Sequence, residues 1–71
     1  MNESIKKAIN VLGTQQLLAE ACGVSQNAVS KWLNGGSAIS LENALRIEKA
    51  TQGKVKAEDI SPDFSHLLSR D

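Results

Sequence analysis

The stretch QQLLAEACGVSQNAVSKWLN, residues 15–34, decides the fold. It reads as two short helices joined by a tight turn at Gly23, with a polar, uncommitted face on the second. Gly23 suits the left-handed backbone conformation that follows a helix end, and the Ser25 hydroxyl can cap the free amides of the next helix. Ala19 lies four residues before Gly23, at the point where two closely crossing helices leave room for a methyl group but not for a leucine. Small residue, spacer, glycine, apolar residue and cap together form the pattern of a helix-turn-helix, whose second helix presents side chains to DNA.

The flanks extend the same helical reading. Glu3 to Leu12 places Ile5, Ala8, Ile9 and Leu12 at helical spacing, with Lys6, Lys7 and Asn10 on the other side. Gly13 ends that helix and Thr14 caps the next, which runs from Gln15 to about Cys22 and buries Leu18, Ala21 and Cys22, with Leu17 nearby. A third helix, Gln26 to Leu33, turns Val29, Trp32 and Leu33 inward and is stopped by Asn34, Gly35 and Gly36. A loop with Ile39 leads to Ser40, the cap of a fourth helix from Leu41 to about Thr51. Leu41, Ala44, Leu45, Ile47 and Ala50 are its candidate buried positions. Gly53 closes it. Lys54 to Lys56 fits either an extended connector or one edge strand. Ser61-Pro62 reads as cap and first-turn proline of a last short helix with Phe64, Leu67 and Leu68. The expected architecture is all-α: one compact helix-turn-helix domain of four to five helices over residues 1–71.

Seventy-one residues allow a small core, and a single cysteine excludes an intrachain disulfide. Cys22 falls on an apolar helix side and is expected to pack as a small hydrophobe, not to serve redox or metal chemistry. His66 is the only histidine and has no second cysteine or histidine nearby, so no metal site is expected. No cofactor is expected either. With no signal peptide and no apolar run long enough to span a bilayer, the expected location is the cytoplasm. Formal charge is zero overall, but residues 1–36 carry three lysines (Lys6, Lys7, Lys31) against two glutamates (Glu3, Glu20). The slightly basic half is therefore the half with the motif, which predicts modest non-specific affinity for phosphates and specificity that rests on hydrogen bonds and shape.

A helix about 10 Å wide fits the major groove, where each base pair shows its own pattern of donors, acceptors and methyl groups. Ser25, Gln26, Asn27, Ser30 and Lys31 avoid the inward positions of the third helix and are the candidate base contacts. Gln26 and Asn27 each carry a donor and an acceptor, enough for two-point contact with adenine, while Lys31 can reach guanine or a phosphate and Ser30 a base or the backbone. Thr14 and Gln15, at the start of the second helix, offer free amides and a favourable dipole to a phosphate. Asn34, Gly35 and Ser37 are candidates for a second backbone contact, and Lys6 and Lys7 for longer-range attraction. Against this stands the ordinary fate of such residues: exposed Gln and Asn are usually only solvated, and caps are needed with or without DNA. Trp32 reads as core and not as a stacking platform, since the only other aromatic is Phe64.

Gln15, Ala19, Gly23, Val24, Ser25-Gln26-Asn27, Val29, Trp32 and Asn34-Gly35 give the chain its resemblance to the lambda-repressor-like helix-turn-helix superfamily. Within it, the chain is similar to the small phage Cro-like and YdaS-like regulators, through LGTQQLLAEACGVSQNAVSKWLNGG and RIEKATQGKVKAEDISPDF. The resemblance implies that Gln15 contacts phosphate and supports the recognition helix, that Gln26 and Asn27 read bases with help from Ser30 and Lys31, and that Asn34 touches the backbone. It also implies dimers on palindromic double-stranded DNA, with two recognition helices about 34 Å apart. The reading is a transcriptional repressor of phage or prophage that acts by occupancy. No nucleophile with its base, no carboxylate constellation and no phosphate-binding glycine motif points to an enzyme. An antitoxin-type autoregulator, with its tail on a toxin, would use the same chemistry. A protein-interaction domain on the same fold, without DNA binding and with its interface after Lys54, is the rival from another class. Phe64, Leu67 and Leu68 are the candidates for a dimer or partner contact. Packing within the chain is slightly favoured for them, with a weak homodimer that tightens on DNA.

Overall fold

The computed structural model describes residues 2–36 and 38–61. They form five helices: α1 (Glu3–Leu12), α2 (Gln15–Cys22), α3 (Gln26–Asn34), α4 (Leu41–Ala50) and α5 (Ala57–Ile60). Among the described residues there is no strand, in agreement with the all-α expectation.

The helix starts are set by single polar side chains. Asn2 Oδ1 accepts from the Ser4 and Ile5 amides at 3.0 and 3.2 Å. Thr14 Oγ1 accepts from Leu17 N at 3.1 Å, Ser25 Oγ from Ala28 N at 3.2 Å and Ser40 Oγ from Asn43 N at 3.2 Å. Each such cap is worth about 1 kcal/mol. The turn after α2 is closed by Gly23 in the left-handed region (φ 70°, ψ 32°). Around it, Gly23 N donates to Glu20 O at 3.2 Å and Val24 N to Ala19 O at 3.0 Å, which satisfies two carbonyls that the helix end would leave bare.

The main core cluster is built from Ile5 and Ala8 of α1, Leu18, Ala19 and Cys22 of α2, Val29 and Trp32 of α3 and Ile47 of α4, with Val55 from the connector after α4, and Ala57 of α5 is buried as well. Ile9, Leu12, Val24, Leu33, Ile39 and Ile60 pack around them. α2 packs on α1, α3 and α4, so it is the hub against which α3 is held. Ala19 is buried in that hub, as its place before the turn requires.

Two expected core residues, Ala21 and Leu45, are not in it, and Leu17, expected nearby, is exposed too. Leu17 is 48% exposed and Leu45 39% exposed, and Ala21 is exposed as well. In α2, Leu18, Ala19 and Cys22 already fill the inward stripe, so Leu17 and Ala21, four apart, form a ridge beside it. In α4 the same holds for Ala44 and Ile47, which leave Leu45 one step around the helix. Leu41 and Ala50 are half-buried.

Beyond α4 the connector reading holds for Lys54–Lys56 and the edge-strand alternative does not. Thr51, fully buried, organises this stretch: its Oγ1 accepts from Val55 N at 3.1 Å and lies 2.9 Å from Ile47 O, to which it donates. α5 was not expected. Its starting residue, Lys56, has no capping hydroxyl; instead Asp59 Oδ2 accepts from Lys56 N at 3.1 Å and Glu48 Oε1, from α4, accepts from Ala57 N at 2.9 Å. The helix expected after Ser61-Pro62, with Phe64, Leu67 and Leu68, lies outside the described residues.

Candidate nucleic-acid interface

α3 has two unlike sides. Val29 and Trp32 are buried against the hub, while Ser25, Gln26, Asn27, Lys31 and Asn34 are exposed. Asn27, Lys31 and Asn34, at intervals of four and three, form one outward row, and Gln26 with Ser30 forms the row beside it. Ser30 is half-buried, and its hydroxyl donates to Gln15 Oε1 over 3.5 Å.

That contact joins the start of α2 to the middle of α3. Thr14 and Gln15 sit there, Thr14 exposed and Gln15 half-buried. Of the first-turn amides of α2, that of Leu17 is taken by Thr14 Oγ1. The amides of Gln15 and Gln16 precede any intrahelical acceptor and are donors toward the outside. The start of α2 is thus a cluster of N–H donors, on the positive end of the helix dipole, next to the polar rows of α3.

At the other end of α3, Gly35 adopts the left-handed conformation (φ 76°) and Gly36 N donates to Lys31 O at 2.8 Å. Asn34, Gly35 and Gly36 are all exposed. Ser37 lies outside the described residues. Lys6 and Lys7 are exposed on α1, but the backbone tie between α1 and α3 runs from Asn2 N to Leu33 O at 2.9 Å. It therefore meets the Asn34 end of α3 and not the Gln26 end. The structure brings Gln15 and Ser30 together and draws no such link for the two lysines.

Sequence reasoning missed the brace behind the turn. Arg46 of α4 donates through Nη1 to the Cys22 carbonyl at 3.0 Å and through Nη2 to Glu42 Oε1 at 2.7 Å. The pair spacing of four was a visible signal for the ion pair. Nothing local signalled the contact to Cys22 O, the last carbonyl of α2, which ties the turn to α4. The Cys22 thiol is buried in the core, and this burial pushes its pKa above the usual thiol value despite the Arg46 guanidinium, which lowers it. It remains a protonated packing group, as expected. Among the described residues no group of three or more His, Cys, Asp or Glu could hold a metal ion, and no helix is long and apolar enough to cross a membrane.

No solved structure matches the chain. Among curated proteins, it is 39% identical over 63 residues to the putative transcriptional regulator YdaS of Escherichia coli K12, covering 89% of this chain and 64% of that protein. The chain thus spans under two thirds of that relative's length. It is 38% identical over 64 residues to the regulatory protein cro of Pseudomonas phage D3, covering 90% of this chain and 88% of that one. The Cro-like and YdaS-like resemblance seen in residues 15–35 is therefore found along most of the sequence. The profile of the family described as bacterial toxin YdaS matches residues 5–67, and the chain belongs to that family.

Proposed function

We propose that the chain is a sequence-specific, double-stranded DNA-binding transcriptional repressor of the Cro kind, which reads the major groove with α3 and blocks a promoter by occupancy. The observation that carries this reading is the exposure of Ser25, Gln26, Asn27 and Lys31 along a helix whose Val29 and Trp32 are buried. Regulatory names on both relatives support it. In this reading Gln26 and Asn27 supply base contacts, Lys31 a base or a phosphate, and the donors at Thr14 and Gln15 a phosphate clamp. Asn34, Gly35 and Ser37 supply a further backbone contact. A dimer on a palindrome follows from the need to place two recognition helices about 34 Å apart. Such a protein works in the cytoplasm, without a cofactor and without catalysing a reaction.

Selection of bound duplexes from a random pool tests the proposal. A palindromic consensus is the expected result, and recovery of no preferred sequence overturns it. The family's description favours a second reading, a protein that inhibits growth when produced. Growth arrest that survives Gln26→Ala and Asn27→Ala made together, in a double variant shown to have lost duplex preference, would favour that reading over transcriptional repression.

A further inference from the structure

We propose that the Asn34-Gly35 junction is a site of spontaneous deamidation whose product withdraws the end of α3 from a phosphate, the second half of which rests on the DNA-binding reading above. Five asparagines are present, and only Asn34 is followed by glycine. Cyclisation at an asparagine needs the next backbone nitrogen to reach the side-chain Cγ, so a successor that is bulky or bound inside a helix blocks it. Asn10, Asn27 and Asn43 lie inside helices, ahead of Val11, Ala28 and Ala44. The Ala28 and Ala44 amides are taken by the Ser25 and Ser40 carbonyls. Asn2 precedes Glu3, and its Oδ1 is held by the Ser4 and Ile5 amides. Asn34, by contrast, is the exposed last residue of α3, and Gly35 has open space where a side chain would stand.

Gly35 N donates to Trp32 O over 3.2 Å, a longer bond than the 2.8 Å from Gly36 N to Lys31 O. Helix ends open at little cost, and glycine tolerates the backbone rotation that brings its nitrogen to Cγ. That nitrogen gives its proton to water or hydroxide and attacks Cγ; the Cγ–Nδ2 bond breaks, and ammonia leaves with a proton from solvent. Water then opens the cyclic imide at one carbonyl or the other. The product is an aspartate or, with the main chain rerouted through Cγ, an isoaspartate. Either puts a negative charge at the negative end of the α3 dipole, on a residue proposed to touch the DNA backbone. Isoaspartate also inserts a carbon ahead of Gly35 and displaces its left-handed cap. The loss of a backbone contact weakens binding to every sequence and discriminates among none.

Three measurements test the proposal. Incubation of the full chain in mildly alkaline buffer, followed by peptide mapping, should show Asn34 converted with isoaspartate among the products, while the other four asparagines persist. Asn34→Gln, whose longer side chain closes a less favourable ring, should stay intact. Thr51→Val loosens the whole fold through the Val55 amide but not the end of α3, so it should leave the rate at Asn34 unchanged, whereas a bound duplex should slow it. Asn34→Asp should bind every duplex roughly tenfold more weakly, as expected for a like charge set beside a phosphate.

Persistence of Asn34, or equal conversion at another asparagine, would overturn the proposal. A rate that rises in Thr51→Val in proportion to the unfolded population would overturn it as well, since the reaction would then belong to the unfolded chain. Unimpaired duplex binding by Asn34→Asp would overturn the phosphate half. Wild-type protein that binds no duplex, yet converts at Asn34, would overturn the DNA-binding reading and leave the deamidation standing.

Discussion

Replacing Thr51 by valine removes one oxygen from the interior and keeps the shape of the side chain. The Thr51 hydroxyl accepts from Val55 N at 3.1 Å and donates to Ile47 O at 2.9 Å. Ile47 O keeps a second partner, because Thr51 N also donates to it at 2.9 Å. Val55 N has no such reserve and would be left buried without an acceptor. Volume is conserved, so no cavity term enters, and the cost is that of an unsatisfied buried donor, about 1–3 kcal/mol. Thr51→Ser serves as the control: it keeps the hydroxyl and loses a buried methyl, worth about 1 kcal/mol with its cavity. Urea unfolding followed by the fluorescence of Trp32, the only tryptophan and 5% exposed, reads both. For a domain of this size each kcal/mol corresponds to about 4–8 °C in Tm. The valine variant should be the less stable of the two. A valine variant as stable as wild type would refute the view that this hydroxyl holds Val55 in the core.

Gly23→Ala meets no atom within 4 Å, but places a Cβ on a residue at φ 70°, so thermal unfolding should show a loss of about 1–2 kcal/mol from backbone strain alone. Gln52 already bears that strain at φ 56°, and Gln52→Gly should therefore be neutral or more stable by up to about 1 kcal/mol, after the entropy of glycine is deducted. Burial raises the Cys22 pKa in the folded chain. The unfolded thiol then ionises first, so its contribution to stability is complete below a pH of about 8.5 and declines as pH rises beyond it. A disulfide reagent at pH 8 should accordingly react no faster than the chain opens, and rapid stoichiometric labelling would contradict the burial. Gln26→Ala should cost about 1–3 kcal/mol on the preferred duplex and relax one base position, read by anisotropy on a set of point-substituted duplexes. If Lys31 contacts a phosphate, Lys31→Ala should weaken all duplexes alike and flatten the salt dependence by about one charge.

Much of the fold was legible because helix ends are written locally. Thr14, Ser25 and Ser40 cap as read, each through an amide three residues on, and Gly23 and Gly35 close turns through bonds that reach back no more than five residues. Periodicity gives the direction of each apolar stripe but not its width, so Ala21 and Leu45 read as buried, and Leu17 as close to them, although all three are exposed. α5 lacks a capping hydroxyl: its one local device is the Asp59 to Lys56 bond, and its first amide is satisfied by Glu48, nine residues earlier. The same limit governs the candidate site. Exposure of Gln26, Asn27 and Lys31 follows from helical spacing, whereas the Ser30 to Gln15 bond spans fifteen residues and the Arg46 to Cys22 bond twenty-four. Such contacts depend on how helices cross, and the sequence states only that they do.

In the proposed function, the outward side of α3, with the start of α2, is the surface that meets a duplex. Titration of 15N-labelled protein with a selected duplex tests it most directly, by the amide and side-chain shifts that move. The expected footprint covers Thr14, Gln15, Ser25, Gln26, Asn27, Lys31 and Asn34, with Leu17, Ala21 and Leu45 left in place. A footprint centred on those last three residues, with the α3 face unmoved, would contradict it.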